Sequence, residues 1–202
     1  MSEIRNKEGE LLHQRPESGE RGHYNLNGLC LIEAVLDGED FFGVYLNQTN
    51  LSGADLLGCK FDAAELHNAN LRNVNLRTAH FSFINLYFTS LSGADLSYAA
   101  FHDVVLKGTL LNHAALEQTS FLRVDFTDAE LTGAVLNRTR FAFCDNLHKA
   151  EGLAHIQHDS PSSLDQHTLR GSIHGLPDVF LNGVGYSDRE IKVLRELYAA
   201  ED

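Results

Sequence analysis

Eleven histidines and 28 carboxylates in a chain of 202 residues prompt a search for metal or acid–base chemistry. His155 and His158 stand three apart, the spacing that would bring two imidazoles onto one helical face as metal ligands. No cysteine or further histidine follows at ligand spacing, so no metal site is expected. The neighbours Glu39 and Asp40, and the pair Asp62 and Glu65, have the proximity that general acid–base catalysis uses, but that chemistry needs a pocket able to perturb a pKa. No phosphate-binding Gly-rich loop, HExxH or GxSxG is present, and Gly183-Val184-Gly185 is too short for a dinucleotide fingerprint. The expectation is a protein without catalytic residues, cofactor or metal.

The element that would have to carry any such residue follows from one pattern. From Leu26 to Phe141 every fifth residue is Leu or Phe, 24 positions without a gap. On a helix, residues five apart lie 140° from one another, which spreads the apolar residues around the whole cylinder. In a strand they alternate faces. A chain that turns a corner every five residues remains, each pentapeptide sending its central residue inward. Phe41, Phe61, Phe81, Phe101, Phe121 and Phe141 recur every four pentapeptides, so the coil has four sides and one wall carries an aromatic stack. Only Phe126 lies off that wall.

Two residues before each Leu or Phe the side chain is mostly small, as at Ala34, Thr49, Ala54, Cys59, Ala79 and Ala114. A tube filled by one large residue per side has room for little else, because interiors pack to crystal-like density. Val44, Ile84, Val104 and Val124 form a bulkier wall. His67, His80, His102 and His113 then fall at outward positions of different coils, and the carboxylates sit on convex walls without a pocket. The expected architecture is an all-β solenoid of about six coils, followed by a small helical C-terminal segment.

Ser52-Gly53-Ala54-Asp55-Leu56, Ala69-Asn70-Leu71 and Ser92-Gly93-Ala94-Asp95-Leu96 resemble the A(D/N)LXX consensus of pentapeptide repeat proteins, over residues 24–146. The resemblance implies a right-handed quadrilateral β-helix that acts without catalysis through protein–protein contacts. It also implies an alternative, since the best-known members protect DNA gyrase from quinolones by imitating duplex DNA.

The ends differ from the middle. Residues 1–22 are polar, with mixed charges and Pro16, and are expected to form a mobile tail; residues 23–146 form the solenoid and residues 147–202 a helical cap or docking segment. The register breaks where Asn146 takes the next inward position and Leu147 follows one residue late. Helices are predicted at 148–156, 163–170 and 187–199. In the last, Ser187 and Glu190 fit a capping box, with Ile191, Leu194, Leu197 and Tyr198 as an apolar stripe. An open solenoid end exposes strand edges, so this segment is expected either to cover them or to form a homodimer.

The segment also resembles the connector that precedes Toll/interleukin-receptor-like domains in bacterial multidomain pentapeptide repeat proteins. The resemblance rests on Pro161-Ser162-Ser163-Leu164-Asp165, Thr168-Leu169, Leu176-Pro177-Asp178-Val179-Phe180-Leu181 and the run from Gly183 to Ile191. The chain ends at Asp202 without that domain, and Asn182 stands where a basic residue is expected. The resemblance therefore implies at most an adaptor or regulatory role in a signalling or defence system.

Net charge is −12, and phosphate contacts need Lys and Arg in excess, so direct nucleic-acid binding is not expected. Duplex mimicry would need an acidic track, yet one outward row is Asp40, Lys60, His80, Ala100, Ser120, Arg140 and another is Val35, Asp55, Asn75, Asp95, Ala115, Val135. Residues 66–94 contain no acid, so gyrase is not the favoured partner. No apolar run approaches the ~20 residues that cross a bilayer, and the start lacks a signal-peptide core, so no membrane association is expected. Cys30, Cys59 and Cys144 are odd in number and unpaired in pattern, which fits unreactive thiols in a cytoplasmic protein. The outward aromatics Phe83, Tyr87, Phe88 and Tyr98 fall within about one coil. They are expected to form one apolar patch, either a partner site or a surface covered by the terminal segments.

Overall fold

The computed structural model describes residues 3–14 and 24–199. Residues 1–2 and 15–22, the rest of the expected polar tail, lie outside them. Residues 3–14 do not form a loose tail: β1 (Glu3–Arg5) and β2 (Leu11–Gln14) pair as an antiparallel hairpin. Ile4 is fully buried at the open end of the solenoid, and Arg5 O accepts from Val35 N at 2.8 Å. One apolar residue and a free strand edge to pair with outweigh the polar composition of the segment.

From Asn25 onward the chain coils with a rise of one strand per 20 residues. Parallel bridges link Cys30 to Asn50, Asn50 to Asn70, Asn70 to Ser90, Ser90 to Leu110 and Leu110 to Glu130. Where the walls are most regular they become strands: β3 (His80–Asn85), β4 (Ala100–Val105), β5 (Ala115–Glu117), β6 (Ser120–Asp125), β7 (Val135–Asn137) and β8 (Arg140–Ala142). β3, β4, β6 and β8 stack in parallel with Phe81, Phe101, Phe121 and Phe141 in register. The six phenylalanines of this wall are stacked at 4.6–5.3 Å between ring centroids, and Phe126 meets Phe121 edge-on at 5.2 Å. All 24 quintet-spaced residues are buried.

The corners follow a rule as regular as the lumen. Every fifth residue from Gly28 to Phe143 has a positive φ, between 49° and 71°. Only eight of these 24 are glycine, so at most corners an L side chain is held in the left-handed region, and the ladders on both sides enforce it. The small inward position has its own chemistry. Thr49, Thr89, Thr109, Thr119 and Thr139 are buried, and each hydroxyl donates to a carbonyl 23 residues earlier, such as Thr89 Oγ1 to Leu66 O at 2.6 Å. A buried hydroxyl is thereby satisfied and tied to the coil below.

The C-terminal end is covered by β9 (Gln157–Ser160), β10 (Ser163–Leu164), α1 (Gln166–Ser172), α2 (Asp178–Val184) and α3 (Asp188–Tyr198). β10 extends the Phe wall on β8, and β9 extends β7. The helix expected at 148–156 is instead two single 3-10 turns, Leu147–Lys149 and Leu153–His155. α2, which has no marked sequence signal, lays Phe180 edge-on to Phe141 at 6.5 Å and closes the aromatic column. α3 begins at the Ser187–Glu190 capping box. Arg195 secures it from the far side, donating to Ile173 O and Leu176 O and pairing with Asp178 at 2.6 Å.

Candidate interaction surface

With the lumen full of apolar side chains, chemistry is left to the corners and outer walls. Corner residues lean over the corner of the next coil. Asp103 and Arg123, 20 residues apart, form a bidentate pair at 2.6 and 2.9 Å. Phe88 lies over Gly108, and His113 over Gly133. Outward wall positions make ladders of their own, as where Asn70 Nδ2 donates to Asn50 Oδ1 at 3.0 Å and Asn75 Nδ2 to Asp55 Oδ1 at 2.8 Å.

The four aromatics expected to share a patch do not converge. Phe83, Phe88 and Tyr98 occupy three different corners, and nearness along the chain is separation around a square. Phe83 is 68% exposed with its ring 5.7 Å from that of His102. Phe88 is 61% exposed above Gly108. Tyr87 lies on the wall between them, half-buried against His67 at 5.2 Å. Tyr98 is 42% exposed, carries Arg77 5.2 Å from its ring centroid and bonds Glu117 and Gln118 through its hydroxyl. None of the described residues of the hairpin or the lid covers them.

On α3, Ile191 is 2% exposed and turned into the lid's core, so it is not available to a partner. Leu194 and Tyr198 are partly buried against the same core, while Leu197 is 57% exposed, with Val179 and Val193 also outward. Tyr186, Arg189, Glu190, Val193 and Leu194 line a shallow depression of about 280 Å³. A second cavity, of about 420 Å³, lies where the Phe wall meets α1 and is lined by Phe143, Asp165, Gln166, His167 and Arg170.

His155 and His158 do not share a helical face: His155 ends a 3-10 turn and His158 lies in β9. Among the described residues no three His, Cys, Asp or Glu side chains come together as a metal site. His158 is instead wedged between β9 and α2, with its ring 5.6 Å from Phe180 and neither ring nitrogen hydrogen-bonded. Burial lowers its pKa from the ordinary 6.5. Burial also pushes the thiols of Cys59 and Cys144 up to about 12, whereas Cys30 is exposed on the first coil. Burial acts to raise the carboxyl pKa of Asp125 and Asp165, but hydrogen bonds from Thr127 and Asn146 to the first, and from Thr168 and Phe143 to the second, outweigh it and hold both below 3.8. These carboxylates brace turns and caps.

Among the described residues no helix is long and apolar enough to cross a membrane. Comparison with known proteins gives one family. A model of pentapeptide repeats, in eight copies, matches residues 40–77, 76–112 and 105–141. No curated protein matches the chain in sequence. Among solved structures, a trypsin-treated form of QnrB1, a plasmid-mediated fluoroquinolone resistance protein, superposes with a TM-score of 0.60 at 16% identity, covering 88% of this chain and 85% of that one. A second trypsin-treated QnrB1 variant gives 0.60 at 17%, covering 88% and 84%. Rfr23 from the cyanobacterium Cyanothece 51142 is 23% identical over 70% of this chain and 91% of its own, with a TM-score of 0.32. Such identities speak to the fold and leave function to the site.

Proposed function

The chain belongs to the pentapeptide repeat family, and from that premise we propose that it is a non-enzymatic protein–protein interaction module, presenting side chains from solenoid corners and walls to a protein partner. The observation that carries this reading is the pair Phe83 and Phe88, each an aromatic held at positive φ and more than 60% exposed. A large apolar side chain in a strained backbone region, with most of its surface in water, gains by being covered. Tyr87 lies between them, and Tyr98 borders the next wall. The three unpaired cysteines fit a cytoplasmic setting.

The test is capture of partners from an extract of the source cells by the wild-type protein and by Phe83→Ser/Phe88→Ser, with melting followed in parallel. Loss of the captured proteins at unchanged melting supports the reading. Equal capture by both proteins removes it.

Self-association is a second use of surface, favoured by the outward Val179, Val193 and Leu197 on the lid. A homodimer through this face would use Leu197 and the rim of Leu194 and Tyr198, with Ile191 behind them. Sedimentation of Leu197→Asp as a monomer, against a wild-type dimer, supports it; a wild-type monomer at high concentration excludes it. Topoisomerase protection, the alternative that the repeat resemblance implies, is weakened by Arg123 and Arg138 at the corners of the Phe wall and Arg140 on it. Failure to rescue quinolone-inhibited supercoiling at micromolar concentrations ends that alternative.

A further inference from the structure

The upper half of the Phe wall is the odd face of an acidic protein, since its lower coils carry Glu39, Asp40 and Asp62 beside Lys60. Net charge is −12, yet on this wall and its two bordering corners from residue 78 to residue 143, three arginines, Arg123, Arg138 and Arg140, face a single acid, Asp103. His80 and His102 lie on the same face, and His102 meets Arg123. The middle of the wall is floored by Ala100 and Ser120, small residues in the register of His80 and Arg140. The face therefore has Ala100 and Ser120 at its centre beside His102 and Leu122, Arg123 and Arg138 at its two corners, and Arg140 at the upper end of the central row.

The wall already contains one instance of what such a face recognises. Arg123 grips the Asp103 carboxylate through two parallel hydrogen bonds at 2.6 and 2.9 Å, the fork geometry that suits guanidinium to carboxylate. Arg138 and Arg140, one coil further on, are both exposed, and their guanidinium groups make no hydrogen bond or ion pair among the described residues. They are two forks without a carboxylate.

We infer that the Phe wall binds a short acidic, extended segment of a partner protein, its carboxylates on Arg138 and Arg140 and its chain along Ala100 and Ser120. From His80 through Ala100, Ser120 and Arg140 to Ser163 is four inter-strand steps, roughly 19 Å, the length of about six extended residues. The cavity of about 420 Å³ at the upper end of this path, lined by Phe143, Gln166, His167 and Arg170 together with the carboxylate of Asp165, takes an uncharged partner side chain. A peptide of that size stays within the basic upper half of the wall. A nucleic acid, longer and more densely charged, would run past it into the field of the acidic remainder. This inference rests on the interaction reading above and names the partner's chemistry.

The experiment is fluorescence anisotropy of a labelled hexaglutamate peptide titrated with the full chain, the Arg138→Ala/Arg140→Ala variant, and Arg72→Ala on another wall. The expected result is salt-sensitive binding by wild type and Arg72→Ala, weakened about tenfold or more in the double variant with its melting temperature unchanged. Three results overturn the inference: no wild-type binding up to millimolar peptide, equal loss in Arg72→Ala, or tighter binding of a hexathymidylate oligonucleotide than of the peptide. If the peptide fails while capture through Phe83 and Phe88 persists, the acidic-segment assignment falls and the interaction module stands.

Discussion

The ring of Phe88 lies over Gly108, so close that a Cβ built on Gly108 would stand 2.6 Å from Phe88 Cδ1. Both residues are corners with positive φ, one coil apart. As Phe88 is placed, it therefore requires a bare backbone at position 108. Gly38 has a similar φ, +69°, with nothing within 4 Å of its absent Cβ. Gly38→Ala should cost about 1 kcal/mol for backbone strain alone. Gly108→Ala should cost more, and changing Phe88 to Ala in the same chain should remove the excess, as a double-mutant cycle in urea will show. Equal costs at the two glycines would mean that Phe88 does not rest on Gly108.

The aromatic column is stacked without a break, with Phe101 4.6 Å from Phe81 and 5.0 Å from Phe121. Phe101→Ala leaves a void that neighbouring coils, held by ladders above and below, cannot collapse into. A loss of about 3–5 kcal/mol is expected. Thermal melting checks it, and a shift near zero would contradict the packing described.

How much of this was legible in the sequence differs by layer. The lumen was, because a buried position accepts so few residue types that Leu and Phe repeat without exception. The corners were not: Gly38, Asn73, Phe88 and Arg138 share one backbone conformation but nothing in side-chain chemistry. Neighbourhood along the outside was misleading, and Phe83, Phe88 and Tyr98 went to different corners. The hairpin around Ile4, the strands β9 and β10, and α2 are short elements defined by the solenoid ends they cover rather than by a periodicity of their own. The free forks of Arg138 and Arg140 became visible only once residues 20 apart were seen to be neighbours and neither was found paired.

Thiol reactivity should follow exposure. Cys59 and Cys144 are buried with pKa values pushed up to about 12, while Cys30 is exposed. A maleimide at neutral pH should add to one thiol in the native protein and to three in denaturant, read as mass increments. Rapid native labelling at Cys59 or Cys144 would show an open wall.

Acid should loosen the lid before it melts the solenoid. His158 is half-buried between β9 and α2 with both ring nitrogens buried and unpaired, and its pKa is lowered by that burial. An imidazole freed by lid opening titrates at the ordinary 6.5 and takes a proton first. Lid stability is thus complete above 6.5 and declines as pH falls below it. Asp125 and Asp165, held below 3.8, give stability that is lost only as pH falls through the acidic range beneath that value. Hydrogen exchange in α2 should accelerate between neutral pH and pH 5 relative to β4, and His158→Phe should flatten most of that difference. His148, whose pKa is lowered by burial and then by Lys149, accounts for the remainder. Parallel behaviour of α2 and β4 across this range would remove the lid from the explanation.

That the outer corners meet a protein partner is tested most directly by placing a photo-crosslinking benzoylphenylalanine at position 83 and, in a second protein, at position 32, where Ile32 is exposed on the wall beside Glu33, the diagonally opposite corner. Irradiation in the cells that make the protein should attach a discrete partner to position 83 and none to position 32. No adduct at 83, or the same adducts at both, would contradict the account.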